Sequence, residues 1–342
     1  MATKAVAIVP LADLENGQEA DFFAMLTLKE ELKTRDGKPY YRVGFRDAGR
    51  EAIFPIWNDA VWADECRRLW SVGAFYKLRA VYRETSYGPQ LEIKKIRETV
   101  DADEADGFDP LGFLPRSRFD SATMFEELCE LARTKIENEP LRELTLHLYE
   151  TNRERLLTLP AATKNHHSFV GGYLEHVLSA TRTASYFAEK YAEYYPDISP
   201  PLDVGLVVAG TMLHDIGKLR ELELLPEGPA YTVEGSLIGH ILQGRDMVRE
   251  AAAELARRDP PLIVDAETLL RLEHIIVAHQ RLPEWGAPKP PMTPEALLVH
   301  YADDLDAKFN MLVNILRDDT TPGPMTSKKN VLVQQFYKGK PT

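Results

Sequence analysis

The 342-residue chain reads as a multidomain protein of two fold classes, an all-β barrel followed by an all-α domain. Three observations carry that reading. Short, partly alternating segments rich in aromatic and β-branched residues fill the first hundred positions. Helical periodicity fills almost everything after position 120. Between the two lies an acidic, aperiodic run with glycine and proline. The length is ample for two cores.

The β segments are residues 21–28 (DFFAMLTL), 39–46 (PYYRVGFR), 50–56 (REAIFPI), 74–83 (AFYKLRAVYR) and 87–97 (YGPQLEIKKIR). Asp36-Gly37 and Tyr87-Gly88-Pro89 supply turns. A helical stretch, Ala60 to Trp70, separates the third strand from the fourth. Five strands with a helix after the third is the order of an OB-fold barrel, a common binder of single strands. Tyr40, Tyr41, Phe45 and Trp57 are candidates for base stacking, with Lys38, Arg42, Arg46 and Lys77 nearby for phosphates. The plainer expectation is that half of these rings fill the barrel.

The expected domains are the barrel at 1–100, an acidic linker at 101–120, the helical domain at 121–319 and a Pro/Gly-bearing tail at 320–342 that packs loosely. Ser121 opens the helical domain with a capping residue and acidic neighbours. Helices are expected at 121–137, 140–157, 171–193, 203–215, 236–257, 266–279 and 294–316, with no strand pattern among them and no internal repeat.

Composition narrows the function classes. The formal charge of −12 argues against a wholly basic nucleic-acid coat, although the first hundred residues are nearly balanced. No apolar run is long enough for a membrane span, and the N-terminus MATKAVAIVPLADLENG lacks a signal-peptide layout. Cys66 and Cys129 are far apart and read as ordinary thiols of a reducing cytosol. A cytoplasmic protein without membrane partners is therefore expected. A homo-oligomer is compatible with the sequence.

All nine histidines fall from His147 onward, so metal chemistry belongs to the helical domain. At its centre stands Leu213-His214-Asp215-Ile216-Gly217-Lys218. The His-Asp pair puts an imidazole and a carboxylate in one short segment, and the two oxygens of Asp215 suit a bridge between ions. Lys218 adds a cation beside them. His176 upstream, and His240, His279 and Asp303 downstream, complete a set on different helices. Imidazole with carboxylate suits Mn, Fe, Co, Ni or Zn, and the absence of a nearby cysteine argues against a structural zinc site. Six candidate ligands exceed the need of one tetrahedral ion and favour two, an arrangement suited to phosphoester hydrolysis. Taken singly, each histidine is more often a core or surface residue. His274 lies five positions before His279, about 140° away on a helix, and belongs to the packing or to an outer layer. His300 shares the face of Asp303 and could bond a ligand. His147 carries no signal. Asp303-Asp304-Leu305-Asp306 reads equally well as a solvated helix face.

Together these segments resemble the HD-domain metallophosphohydrolase superfamily, and more fully the YhaM-type 3′→5′ exoribonucleases, which carry an OB-fold ahead of an HD domain. NHHSFVGGYLEHVLS (165–179), LHDIGKLRE (213–221), YTVEGSLIGHI (231–241) and EHIIVAHQRLPEWGAPKPPMTPEALLVHYADDLDAK (273–308) carry the resemblance. It implies Asp303, in Tyr-Ala-Asp, as the metal aspartate. It implies removal of 5′-nucleotides from the 3′ ends of single-stranded RNA, with some action on single-stranded DNA. The metal would be Mn first, with Fe, Co, Ni, Zn or Mg as alternatives. Lys218 would meet the scissile phosphate. The doubled His166-His167 and Gly171-Gly172 would shape the substrate entrance, with His167 contacting a phosphate, and Glu284 and Trp285 would line the cleft. Two places depart from the family pattern, His279-Gln280-Arg281 for a His-His-Gly run and Ala302-Asp303-Asp304 for Ala-Asp-Asn. Two rivals remain open: an HD-domain nucleotidase or cyclic-nucleotide phosphodiesterase, and a single-strand-binding accessory protein with an inactive site.

Overall fold

The computed structural model describes residues 8–339 except 35, 87 and 227, so the turn residue Tyr87 lies outside the described residues. The chain divides into two compact units, Met1–Pro115 and Arg116–Thr342. Strands β1 (Glu19–Lys33), β2 (Pro39–Arg46) and β3 (Glu51–Trp57) form an antiparallel meander. Helix α1 (Ala63–Arg68) then leads to β4 (Phe75–Thr85) and β5 (Gly88–Glu98). The sheet order is β3-β2-β1-β4-β5, and β5 returns alongside β3. This is the topology of an OB fold.

Alternation along the strands decides which side chains enter the barrel. Ala20, Phe22, Ala24 and Leu26 of β1 point inward, and so do Tyr41, Val43 and Phe45 of β2. Phe45 packs edge-on to Trp70 and Tyr76 at 5.6 and 5.9 Å. Tyr40 and Trp57, directly paired across β2 and β3, stay on the outer face with ring centroids 5.0 Å apart. Two of the four stacking candidates, Tyr41 and Phe45, are therefore barrel core.

The acidic run expected to be a linker carries structure of its own. Asp103 is buried and accepts from both terminal nitrogens of Arg97 at 2.7 Å and from Lys77 at 3.2 Å. Lys77 also pairs with Asp106, so it is not the free phosphate contact that was expected. Phe108 and Phe113 follow and close on Phe23 and Phe75 at 5.1 to 5.5 Å. The aperiodic pattern hid this because the segment uses single 3-10 turns and ion pairs rather than a repeating apolar face.

The second unit is built from α2 (Ser121–Lys135), α3 (Glu139–Thr151), α4 (Arg153–Leu156), α5 (Gly172–Tyr194), α6 (Val204–Leu213), α7 (Lys218–Glu221), α8 (Val233–Ile238), α9 (His240–Leu255), α10 (Ala266–Ala278) and α11 (Pro294–Asp318). Side-chain caps start most of the longer ones: Asp120 (in place of the expected Ser121), Asn138, Asp203, Asp265 and Thr293 each accept a backbone N–H of the first turn. Helix α6 is buried from Gly205 through Leu213. It is apolar all round, as a helix enclosed on every side must be, and α2, α3, α5, α10 and α11 pack around it. Each of its larger apolar side chains contributes roughly 1.5–3 kcal/mol by leaving water.

Three features depart from the expected helix pattern. Asn152 separates α3 from α4. A small hairpin, β6 (Leu222–Leu225) with β7 (Gly228–Tyr231), stands where no strand was expected; four-residue strands are too short to show a period. Gly239, at φ 79°, ends α8 and lets α9 begin afresh at His240. The tail turns back on itself through buried Thr326, whose hydroxyl accepts from Phe336 N.

Asp103 also yields a stability test. The Arg97 guanidinium outweighs burial and, with the Val100 N–H and Lys77, holds its carboxyl well below the usual range. A depressed carboxylate stabilises the fold above its unfolded pKa, about 4, and loses that contribution as pH falls further. Asp103→Asn is expected to cost the first unit about 2 kcal/mol at neutral pH. The deficit should shrink below about pH 4. Guanidinium titration of the full chain, followed by tryptophan fluorescence, reads this; coincident curves at neutral pH would refute it.

Candidate metal centre

The buried helix α6 delivers His214 and Asp215 to the interior, and both are buried at its C-terminal end. Helix α9 can approach that turn only because Gly217 has no side chain. A Cβ at that position would lie 1.9 Å from the carbonyl oxygen of His240 and 2.5 Å from Gly244 N. The start of α9 thus rests directly on the turn after α6, and His240 is brought to Asp215 by backbone contact. Gly172 acts likewise for α5, since a Cβ there would meet the carbonyl oxygen of His167 at 2.0 Å.

All six candidate ligands converge. Asp215 presents its oxygens in two directions. Oδ2 lies 3.8 Å from His176 Nε2, 3.4 Å from His214 Nε2 and 2.7 Å from Lys218 Nζ. Oδ1 lies 3.3 Å from His240 Nε2 and 3.6 Å from His279 Nε2. Asp303 Oδ1 joins the first group, 3.2 Å from His176 and 3.7 Å from His214.

The other ring nitrogens set the tautomers. His214 and His279 each follow a helix's last residue, and their Nδ1–H groups donate to carbonyls three residues back, Thr211 at 2.6 Å and Ile276 at 2.7 Å. His176 donates from Nδ1 to Asp306 at 2.7 Å, and His240 to Glu221 at 2.9 Å. Glu221 also accepts the His240 backbone N–H, which has no partner within its own helix at that first position. His300 donates to the carbonyl of His279 at 2.7 Å and steadies the end of α10. Every Nε2 is thereby left to face Asp215.

Whether a cation fits can be judged from the atoms left over. His176 Nε2, His214 Nε2, His279 Nε2 and Asp215 Oδ1 are all buried and make no hydrogen bond. Buried polar atoms are rarely left so, and three such nitrogens around a carboxylate with an unpaired oxygen of its own call for a positive ion. The field agrees. Burial opposes charge on His176 and His214, yet the neighbouring aspartates push them up to about 9 and about 10. Burial likewise works against Asp215 and Asp303, but the adjacent histidines, with Lys218 at Asp215, hold both well below the usual carboxylate range. The triads His176–His214–Asp303 and His214–Asp215–His279 each bring their donor atoms within 4.8 Å. A nitrogen-and-oxygen donor set of this kind suits a first-row divalent ion.

Other expected residues fall differently. Lys218 is buried and donates to Asp215 and to the Ala161 carbonyl, 2.5 Å away, so it braces the site rather than standing free for a phosphate. His167 turns to Asp306 at 3.1 Å and is not the expected phosphate contact. Glu284 is exposed in the turn Pro283–Trp285 and touches none of the candidate ligands. Tyr40 and Arg42 lie on the outer face of the barrel, Arg42 beside Glu30 at 3.9 Å. Of the two departures, Asp304 pairs with Lys308 at 2.7 Å and stays out of the site, whereas Gln280 brings its amide nitrogen 3.3 Å from His240 Nε2. His274 accepts from Met292 N and serves packing.

Sequence reading missed the roles of two residues here. Asp306 is one helical turn beyond Asp303, and that spacing was its signal. Glu221 closes the short helix α7, and nothing in its local sequence marked it. A third residue, His166, was expected only to shape the entrance. Its Nδ1 is buried without a hydrogen bond, and its ring lies 5.5 Å from that of His176. Burial, with Lys218 and His176 adding to it, pushes this imidazole down to about 3.

A buried, histidine-rich centre on five helices defines a helical domain whose side chains could hold a metal ion. Residues 173–308 match the family model described as HD domain, and the helical unit is an HD domain, a metal-dependent phosphohydrolase fold. Two solved structures from Methanococcus maripaludis are also similar. One is the second OB-fold domain of replication protein A, at 14% identity and TM-score 0.21. The other is a domain of replication protein A, at 11% identity and TM-score 0.22. Each match covers 27% of this chain and 93% of the other. The OB assignment rests on strand order instead. Among the described residues, no helix is long and apolar enough to cross a membrane.

Asp306→Asn is expected to weaken divalent-metal binding about 10- to 100-fold by freeing the His176 ring. Asp304→Asn, on the Lys308 side, should leave it unchanged. Calorimetric Mn titrations of both variants separate the two positions, and equal effects would overturn the assignment of Asp306.

Proposed function

We propose that the protein is a metal-dependent 3′→5′ exonuclease that hydrolyses single-stranded RNA, and also single-stranded DNA, to nucleoside 5′-monophosphates. The observation that carries the hydrolytic part is Asp215, whose two oxygens face two different groups of histidines. That division suits two divalent ions, Mn foremost. His176, His214 and Asp303 would hold one, His240 and His279 the other, and Asp215 would bridge them. Such a pair, when bound, supplies water activation and charge neutralisation at phosphorus.

The chain's own groups do the rest. Asp306 and Glu221 keep the His176 and His240 rings aimed inward. Lys218 balances the charge of Asp215 and ties it to the Ala161 segment. The barrel supports a single-strand substrate through Tyr40 and Trp57, paired on its outer face, where base stacking is worth about 1–3 kcal/mol per base.

A second reading, a nucleotidase or cyclic-nucleotide phosphodiesterase, is favoured by one observation. Lys77 is consumed by Asp103 and Asp106, and Tyr41 and Phe45 by the core, which thins the strand-binding face. A 5′-labelled RNA incubated with Mn, Mg or EDTA decides between them. Progressive shortening from the 3′ end with Mn, none with EDTA, and loss of turnover but not of RNA binding in His214→Ala support the exonuclease. Intact RNA alongside hydrolysed mononucleotides would select the second reading.

A further inference from the structure

We propose that His166 is a substrate-contacting residue of the centre, donating a hydrogen bond from Nδ1–H to a phosphoryl oxygen of the bound phosphoester. The inference rests on the phosphohydrolase reading and adds to it the group that receives the phosphate.

The ring is placed with care by everything except itself. Its flanking residues, Asn165 at φ 75° and His167 at φ 44°, both occupy the left-handed region, a conformation that side-chain-bearing residues rarely adopt. The segment is held there by its neighbours. Asn310 Oδ1 accepts from His167 N at 3.2 Å, the His167 carbonyl accepts from Ala161 N at 3.1 Å, and Lys218 donates to the Ala161 carbonyl. His167 bonds Asp306. His166, between these anchors, makes no hydrogen bond among the described residues. Its ring is only partly buried, but its Nδ1 is fully buried and unpaired, beside the His176 ring.

The pattern of its nitrogens separates His166 from the candidate metal ligands. His176, His214, His240 and His279 each use Nδ1 on a fixed acceptor, as ligating histidines do. His166 has no such acceptor, and its inward nitrogen is Nδ1 itself. That suits a donor awaiting an acceptor. The non-bridging oxygens of a phosphodiester are acceptors only, and the Lys218 ammonium is already engaged by Asp215 and the Ala161 carbonyl.

The test compares full-length His166→Ala, His166→Asn and His166→Gln with the wild type. An asparagine amide nitrogen falls near the Nδ1 position, and a glutamine amide nitrogen near Nε2. Calorimetry would measure Mn binding, then binding of inorganic phosphate to the Mn-loaded protein; kcat/KM would be taken on single-stranded RNA and bis(p-nitrophenyl) phosphate. The Ala variant should keep Mn stoichiometry and affinity while phosphate affinity and kcat/KM fall about 10- to 100-fold. Asn should recover most of the loss and Gln little. Lost Mn binding, unchanged phosphate affinity, equal behaviour of Asn and Gln, or a wild type that binds no phosphate would each overturn the proposal. A wild type that hydrolyses neither substrate yet binds phosphate through His166 would sink the reaction assigned above and leave this contact standing.

Discussion

The helical unit depends on one constraint, the charge of Asp215 held in its interior. An unpaired carboxylate there would be prohibitively costly. The structure answers with a buried ammonium at 2.7 Å and with imidazoles on both sides. Those partners come from α5, α6, α7, α9 and α10, so a large part of the fold can be understood as bringing them together. The apolar wall of α6 and the close contact at Gly217 serve the same end, for neither could be met by a polar or bulkier residue.

Much of this was legible in the sequence. The five strands and the helix after the third follow from alternation, and their order alone defines the barrel. The ligand residues stood out because a His-Asp pair closes the apolar run 204–213, and further histidines and an aspartate recur on other helical segments. Residues whose role depends on a partner far away in sequence were not legible. Glu221 matters because a hairpin and α8 return the chain to it before His240. The placement of His166 and His167 depends on two left-handed residues, which Asn permits readily and His does not announce. Asp103 was hidden for a related reason, since its partners lie on strands rather than in its own segment.

The two units also handle charge differently. In the barrel, opposite charges are consumed in pairs at its margin, Asp21 with Arg79 and Asp103 with Arg97 and Lys77. In the helical unit, carboxylates gather around a single ammonium and leave a deficit of positive charge. A surface ion pair is worth little, but a buried deficit creates affinity for whatever cation can enter.

The four ring orientations have unequal origins. His214 and His279 are oriented by main-chain carbonyls, which every residue carries, whereas His176 and His240 need the side chains of Asp306 and Glu221. Heritable variation therefore bears on the two pairs unequally. The carbonyls at 211 and 276 survive any exchange that keeps the helix and its packing, whereas at positions 221 and 306 the side chain itself is needed. Loss of function by gradual substitution would begin at those two acids, with the histidines themselves still in place.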